Sequence, residues 1–264
     1  SGSGSTALTF NYVVQPGDTS SDLEYLTTNA LTLNGGTIKD NLTVDAILTL
    51  PALASANSLG GSKAIVIDGV VPTITSVTST TADGSYNTTG NINITVNFSE
   101  AVTLAGGNMT VALDTGGTVT IPTFSGTSAA GIYTPATGQN STDLNSTGIT
   151  LATGATLKDA AGNNATLTIP TGQSLANSKA IVVDTIAPTV DLTSTSAPTV
   201  NSKFNVTATF SENVTGFDNT DLTVANGTVG NFVIVDAKTY TFDVTPTAAG
   251  IVTVDVPVAQ ATDT

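Results

Sequence analysis

Apolar and polar residues alternate along most of this chain with a period of two. In NITVNFSE (93–100), Ile94, Val96 and Phe98 share one face, and Thr95 and Asn97 the other. In TYTFDV (239–244), Tyr240, Phe242 and Val244 line one side in the same way. Similar runs are ITSVTS (74–79), MTVALDTGGTVTIPTF (109–124), FNVTATF (204–210), DLTVANGTV (221–229) and IVTVDVPVA (251–259), punctuated by Gly, Asn, Asp and Pro. A two-residue period places alternate side chains on opposite faces of a strand. Short runs at regular spacing with turn residues between them predict antiparallel β-sandwiches, whose apolar faces pack together while Thr and Asn face water.

The chain also repeats itself. SKAIVIDGVVP (62–72) returns as SKAIVVDTIAP (178–188), SSDL (20–23) as STDL (141–144), ALTLNGGTIKD (30–40) as ITLATGATLKD (149–159), and AILTLP (46–51) as ATLTIP (165–170). The order is preserved, so one domain type is present twice. A third unit opens after Pro188, where NVTATFSENV (205–214) aligns with NITVNFSEAV (93–102). The expected architecture is all-β: tandem sandwiches in a linear array, with the first and last units incomplete. Residues 1–71 are read as the C-terminal part of a sandwich, 72–187 as a complete one, and 188–264 as one lacking its last strand. Pro72 and Pro188 fix φ and lack an N–H at the start of the following unit, as suits a short, stiff linker.

Composition narrows the chemistry. The 264 residues include 20 acidic and 6 basic ones, all lysine, for a net charge of −14. Such a polyanion repels nucleic-acid phosphates and anionic lipid heads. There is no Cys, His or Arg. That removes disulfides, zinc clusters, the commonest general base and the bidentate anion clamp. No apolar run approaches the roughly 18 residues needed to span a bilayer. Aromatic residues make up 5% of the chain and Trp is absent, which leaves no stacking platform for a sugar cleft. N-x-S/T triplets recur from Asn41 to Asn226, but a chain this rich in Ser and Thr contains many by chance. The chain is expected not to be an enzyme.

The unit with TVDLTSTSAPTVNSKFNVTATFSENVTGF and YTFDVTPTAAGIVTVDV resembles the bacterial immunoglobulin-like repeats of large surface adhesins. The longer unit, with NINITVNFSEAVTL, SKAIVID and VPT, resembles a related repeat of giant extracellular bacterial proteins. The resemblance implies Ig-like sandwiches strung in series as stalks or extenders, on the bacterial cell surface and without catalytic activity. It gives SGSGS at the N-terminus two readings, a linker or a Ser/Gly loop preceding the strand TALTFNYVV.

The acidic residues are expected to meet at the junctions. In a seven-stranded sandwich, alternate loops lie at the same end as the incoming linker. Asp68, Glu100 and Asp159 are thereby expected at the first junction, and Asp184, Glu212 and Asp263 at the second. Asp22 and Glu24, and likewise Asp143, are further acids from the preceding unit. Carboxylates drawn together raise one another's pKa, and Ca²⁺, which takes 6 to 8 oxygen ligands, supplies a reason for the grouping. Without His or Cys, softer metals are disfavoured. The competing reading is that aspartate is a common turn residue on a solvated acidic surface. The expected function is a calcium-stiffened extender of a surface adhesin, partnered by neighbouring repeats of the same polypeptide. The alternative is a filament, sheath or surface-layer subunit built by strand complementation between neighbouring chains.

Overall fold

The computed structural model describes residues 4–263. Most of the SGSGS segment, and Thr264, lie outside them. The chain divides into two compact units, Ser1–Thr185 and Ile186–Thr264. Both are built almost wholly from strands, and the all-β sandwich class expected from the alternation is what is found.

In the first unit the elements run β1 (Thr19–Ser20), α1 (Leu59–Ser62), β2 (Ile67–Asp68), β3 (Ile74–Thr78), β4 (Gly84–Tyr86), β5 (Ile92–Ala105), β6 (Met109–Leu113), β7 (Thr118–Ile121), β8 (Ser125–Tyr133), β9 (Ser146–Leu151), β10 (Thr156–Lys158), α2 (Leu175–Ser178) and β11 (Ile181–Val183). One sheet joins β10, β5 and β3, with β8 also on β5; a second joins β7, β6 and β9. β11 pairs in parallel with β4, Ile181 opposite Gly84. The core between the sheets is aliphatic. Ile92, Ile94, Val96 and Phe98 point into it from β5, Met109 and Val111 from β6, and Leu144, Leu157, Leu175 and Ile181 from the later half. The partition of NITVNFSE into two faces is the one the alternation predicts. β5 is longer than that run, 14 residues, because the pairing with β8 shifts register between Asn97 and Val102 and then continues. Such a bulge lets one strand serve two stretches of sheet while re-aiming the residues between them.

Residues 4–71 differ. Ser58 is the only buried residue among them. Yet their local structure copies residues 127–187 in detail. Ser20 pairs with Ile67 as Ser141 does with Val183. Lys39 bridges Asp45 as Lys158 bridges Asn164. Ala46 N–H donates to Ile38 O at 2.9 Å, and Ala165 N–H to Leu157 O at 2.9 Å. The short helices α1 and α2, which the strand pattern does not announce, also fall at equivalent places; Ser58 caps α1 by accepting Gly61 N–H at 3.0 Å.

In the second unit the elements are β12 (Val190–Thr193), β13 (Phe204–Phe210), β14 (Val214–Thr215), β15 (Thr223–Ala225), β16 (Gly227–Ile234), β17 (Thr239–Pro246), β18 (Thr253–Asp255) and β19 (Thr262–Asp263). Its main sheet runs β12, β13, β17, β16, with the pairs β14–β19 and β15–β18 beside it. This core is aromatic. Tyr240 meets Phe217 and Phe210 edge-on, with ring centroids at 5.0 and 5.8 Å, and Phe232 stacks on Phe242. Buried Tyr240, Phe242 and Val244 share the face assigned to them in sequence.

Candidate metal centre

The passage from Asp68 to Thr73 is held from several sides. Thr73 N–H donates to Ser99 Oγ at 2.9 Å, and Ser99 N–H donates back to Thr73 O at 2.9 Å. Thr166 N–H donates to Pro72 O at 2.8 Å. Proline has no N–H of its own, so this stretch is pinned through its carbonyl and through the next residue. The clamp recurs in the second unit, where Thr189 N–H donates to Ser211 Oγ at 2.9 Å and Ser211 N–H to Thr189 O at 2.8 Å. In both units a glutamate, Glu100 or Glu212, follows the clamping serine.

Asp159 comes from the turn that follows β10. Its N–H donates to Asn163 O, and its Oδ1 accepts Gly162 N–H at 2.7 Å and Asn163 N–H at 2.8 Å. Gly162 takes φ 98°, a left-handed conformation that glycine adopts without steric penalty. Asn163 Nδ2 lies 2.8 Å from Asp159 Oδ2, 2.9 Å from Asp68 O and 3.1 Å from Val70 O. One amide thus ties the turn to the linker.

The result is a group of three carboxylates. One oxygen each from half-buried Asp68, half-buried Glu100 and buried Asp159 lie within 4.8 Å of one another. Burial, and then the negative charges of Asp68 and Asp159, push the Glu100 carboxyl above its ordinary value. Burial also acts upward on Asp159, but hydrogen bonds from the Asn163 side chain and from the backbone of Asn163, Gly162 and Ala161 outweigh it, leaving that carboxyl below the usual range. Asp68 keeps its Oδ1 on Val70 N–H at 3.1 Å. A shallow cleft of about 590 Å³, lined by Ser20, Val66, Asp68, Ser99 and Glu100, opens the group to solvent. The lysine–aspartate pairs Lys39–Asp45, Lys179–Asp83 and Lys203–Asp243 lie elsewhere. An all-oxygen donor set fits Ca²⁺ or Mg²⁺ and offers a softer metal nothing.

The remaining candidate residues are placed as follows. In the second unit, carboxylate oxygens of Glu212 and Asp263 lie within 4.8 Å of each other. Asp263 is on β19, which pairs with Val214 on β14 and so approaches the turn that carries Glu212. Asp184 is near the end of the first unit, where its N–H donates to Tyr86 O at 3.0 Å. Asp22 and Glu24 are gathered at α1: Asp22 Oδ1 accepts Ile65 N–H at 3.2 Å, and Glu24 Oε2 accepts Ala54 N–H at 3.4 Å. Asp143 is exposed, and its N–H donates to Ser141 Oγ. None of these last three belongs to the Asp68 group. Asn163, which positions two of that group's members, carries no charge and drew no attention in sequence. The recurrence of a turn after L-K-D, ending in an amide, is the signal that could have found it.

Tandem strand units with a carboxylate group at a linker define a modular structural protein. Residues 184–264 match the model of the family described as Bacterial Ig-like domain. The second unit is therefore similar to domains that are typical of surface proteins and typically non-enzymatic. No curated protein matches the chain. No helix among the described residues is long and apolar enough to cross a membrane.

Proposed function

We propose that the chain is an extender segment of a large bacterial cell-surface adhesin, and that Ca²⁺ bound by Asp68, Glu100 and Asp159 stiffens the passage between its first two repeats. The observation that carries this reading is the convergence of three carboxylate oxygens within 4.8 Å at a linker with no cation-bearing side chain in the group. Ionised together they repel, and a bound divalent cation reverses that sign. Because Asp68 belongs to the linker while Glu100 and Asp159 belong to the following sandwich, the ion favours one linker geometry and stabilises it by mass action. Glu212 and Asp263 form the corresponding pair in the second unit.

The test is thermal unfolding and small-angle scattering with Ca²⁺ and with chelator. The expected result is a higher melting temperature and a longer, narrower distance distribution with Ca²⁺. An unchanged melting temperature and an unchanged length would overturn the reading. Mg²⁺ is the control: it demands near-octahedral geometry and keeps its waters, so a weaker effect is expected.

A further inference from the structure

The first sixty-odd residues described have the shape of a late half-repeat but not its burial, and the middle repeat shows what is missing. Leu59 is 36% exposed where its counterpart Leu175 is 0% exposed, and Ile65 is 37% exposed where Ile181 is 0% exposed. Upstream the correspondence continues into TALTFNYVV. Tyr12 donates to Asp18 and Gln15 N–H donates to the same carboxylate at 2.8 Å. In the same way Tyr133 donates to Gln139 Oε1 at 3.0 Å, and Ala136 N–H donates to that atom at 2.9 Å. Gly17 and Gly138 close the two turns with φ 89° and 86°. Tyr12 is nevertheless 55% exposed and Tyr133 only 2%.

In the middle repeat the cover comes from residues 73–121. β5 pairs with β8 and β10, β6 with β9, and β4 with β11. Ile74, Ile92, Ile94, Val96, Met109 and Val111 from that stretch fill the core. We propose that residues 6–71 form an acceptor surface for a polypeptide segment patterned like Thr73–Ile121: strands alternating Ile or Val with Thr or Asn, with few charges. Its strands would pair along TALTFNYVV, along residues 30–33 and 37–39, and along residues 64–68. Its apolar face would cover Tyr12, Leu59 and Ile65. Both terms act together, since unpaired strand edges and exposed apolar faces are satisfied by the same added strands. A second copy of this chain is a poor donor. Its own residues 73–121 are engaged with 125–183, and lending them would uncover an equal face.

The proposal does not depend on cation binding, and its test is run in chelator so that the two fail separately. A second copy of residues 72–122 is fused ahead of Ser1 through a flexible linker, and amide hydrogen exchange is followed across the chain. Amides of residues 8–14 and 64–68 are expected to slow by at least about 100-fold on fusion, as buried sheet does relative to open segments. A control fusion carrying Ser at the four positions copied from Ile92, Ile94, Val96 and Phe98 is expected to give no slowing. Unchanged exchange with the first fusion, or equal slowing with both, would overturn the proposal. So would a dimeric unfused chain in which these amides are already slow, since the occupant would then be a second copy. Exchange of the middle repeat, expected to be unchanged throughout, verifies that each protein has folded.

Discussion

Residues 20–71 and 141–187 are nearly the same text folded twice, and they end in different physical states. Turns, bridges and the four-residue helix agree between them, down to individual backbone hydrogen bonds. Burial does not agree: Leu144, Leu157, Leu175, Ile181 and Val183 are buried, whereas Leu23, Ile38, Leu59, Ile65 and Ile67 are half-buried or exposed. Local sequence therefore suffices for the local path of the chain. The hydrophobic contribution belongs to the pair of half-repeats, because an apolar face gains only by what covers it.

The sharpest break in this comparison is a matched truncation. Leu175→Ala leaves a cavity in a closed core and is expected to lower stability of the middle repeat by about 2–5 kcal/mol. Leu59→Ala is expected to lower stability by less than about 1 kcal/mol, since its side chain already meets water. Chemical denaturation curves for the two variants read the difference directly, and equal losses would mean that the two copies are equally closed.

Next in size is the amide at the linker. The turn Asp40–Val44 has the form of Asp159–Asn163, with Asp40 N–H on Val44 O at 3.0 Å, but ends in Val44 where the other ends in Asn163. Asn163→Val makes the second turn resemble the first and removes the bonds to Asp68 O and Val70 O. The expected loss is about 1–3 kcal/mol, measured as a lower unfolding midpoint, together with a smaller calcium-induced shift in melting temperature. Val44→Asn is expected to change neither.

Glu100→Gln sharpens the electrostatics and is expected to change sign with conditions. Because the folded state raises the Glu100 pKa, its ionised form opposes folding. This penalty is absent below about pH 4, near the ordinary glutamate value, and grows as pH rises through the raised one. In chelator at pH 7 the variant should therefore melt a few degrees higher than the parent; with Ca²⁺ it should melt lower. Asp159 runs the other way. Its depressed pKa contributes stability above the ordinary aspartate value of about 3.9, lost as pH falls further. Melting curves between pH 3 and 7 in chelator separate the two.

The smallest expected effect is at Thr43, which holds φ 67° where Gly162 holds 98°. Thr43→Gly relieves left-handed strain while loosening the unfolded chain, and a net change under about 1 kcal/mol is expected in equilibrium unfolding. Gly162→Thr imposes the strain without relief and should lower stability by about 1–2 kcal/mol.

How much of this was legible in the sequence follows from the range of the forces involved. The faces of NITVNFSE and TYTFDV were, because a two-residue period is a local property that burial then rewards. The grouping of Asp68, Glu100 and Asp159 could be reasoned from repeat order and strand direction. Asp22 and Glu24 look equally acidic, yet they fold back onto Ile65 and Ala54 N–H groups, a choice made by the backbone donors around α1. The short helices at SLGGS and SLANS were not visible, since four residues give no period to read. Asn163 was invisible for another reason: its importance lies in reaching Asp68 and Val70, far away in sequence and adjacent only after folding.

The parallel pair β4–β11 has a mechanical meaning. β4 lies near the beginning of the middle repeat and β11 near its end, and their residues run side by side from Gly84 and Ile181 to Tyr86 and Val183. Tension transmitted through the chain pulls these two strands in opposite directions along their shared axis. Their hydrogen bonds are then strained together in shear and do not open one after another like a zipper. A repeat so fastened resists stretching until the whole patch gives way at once.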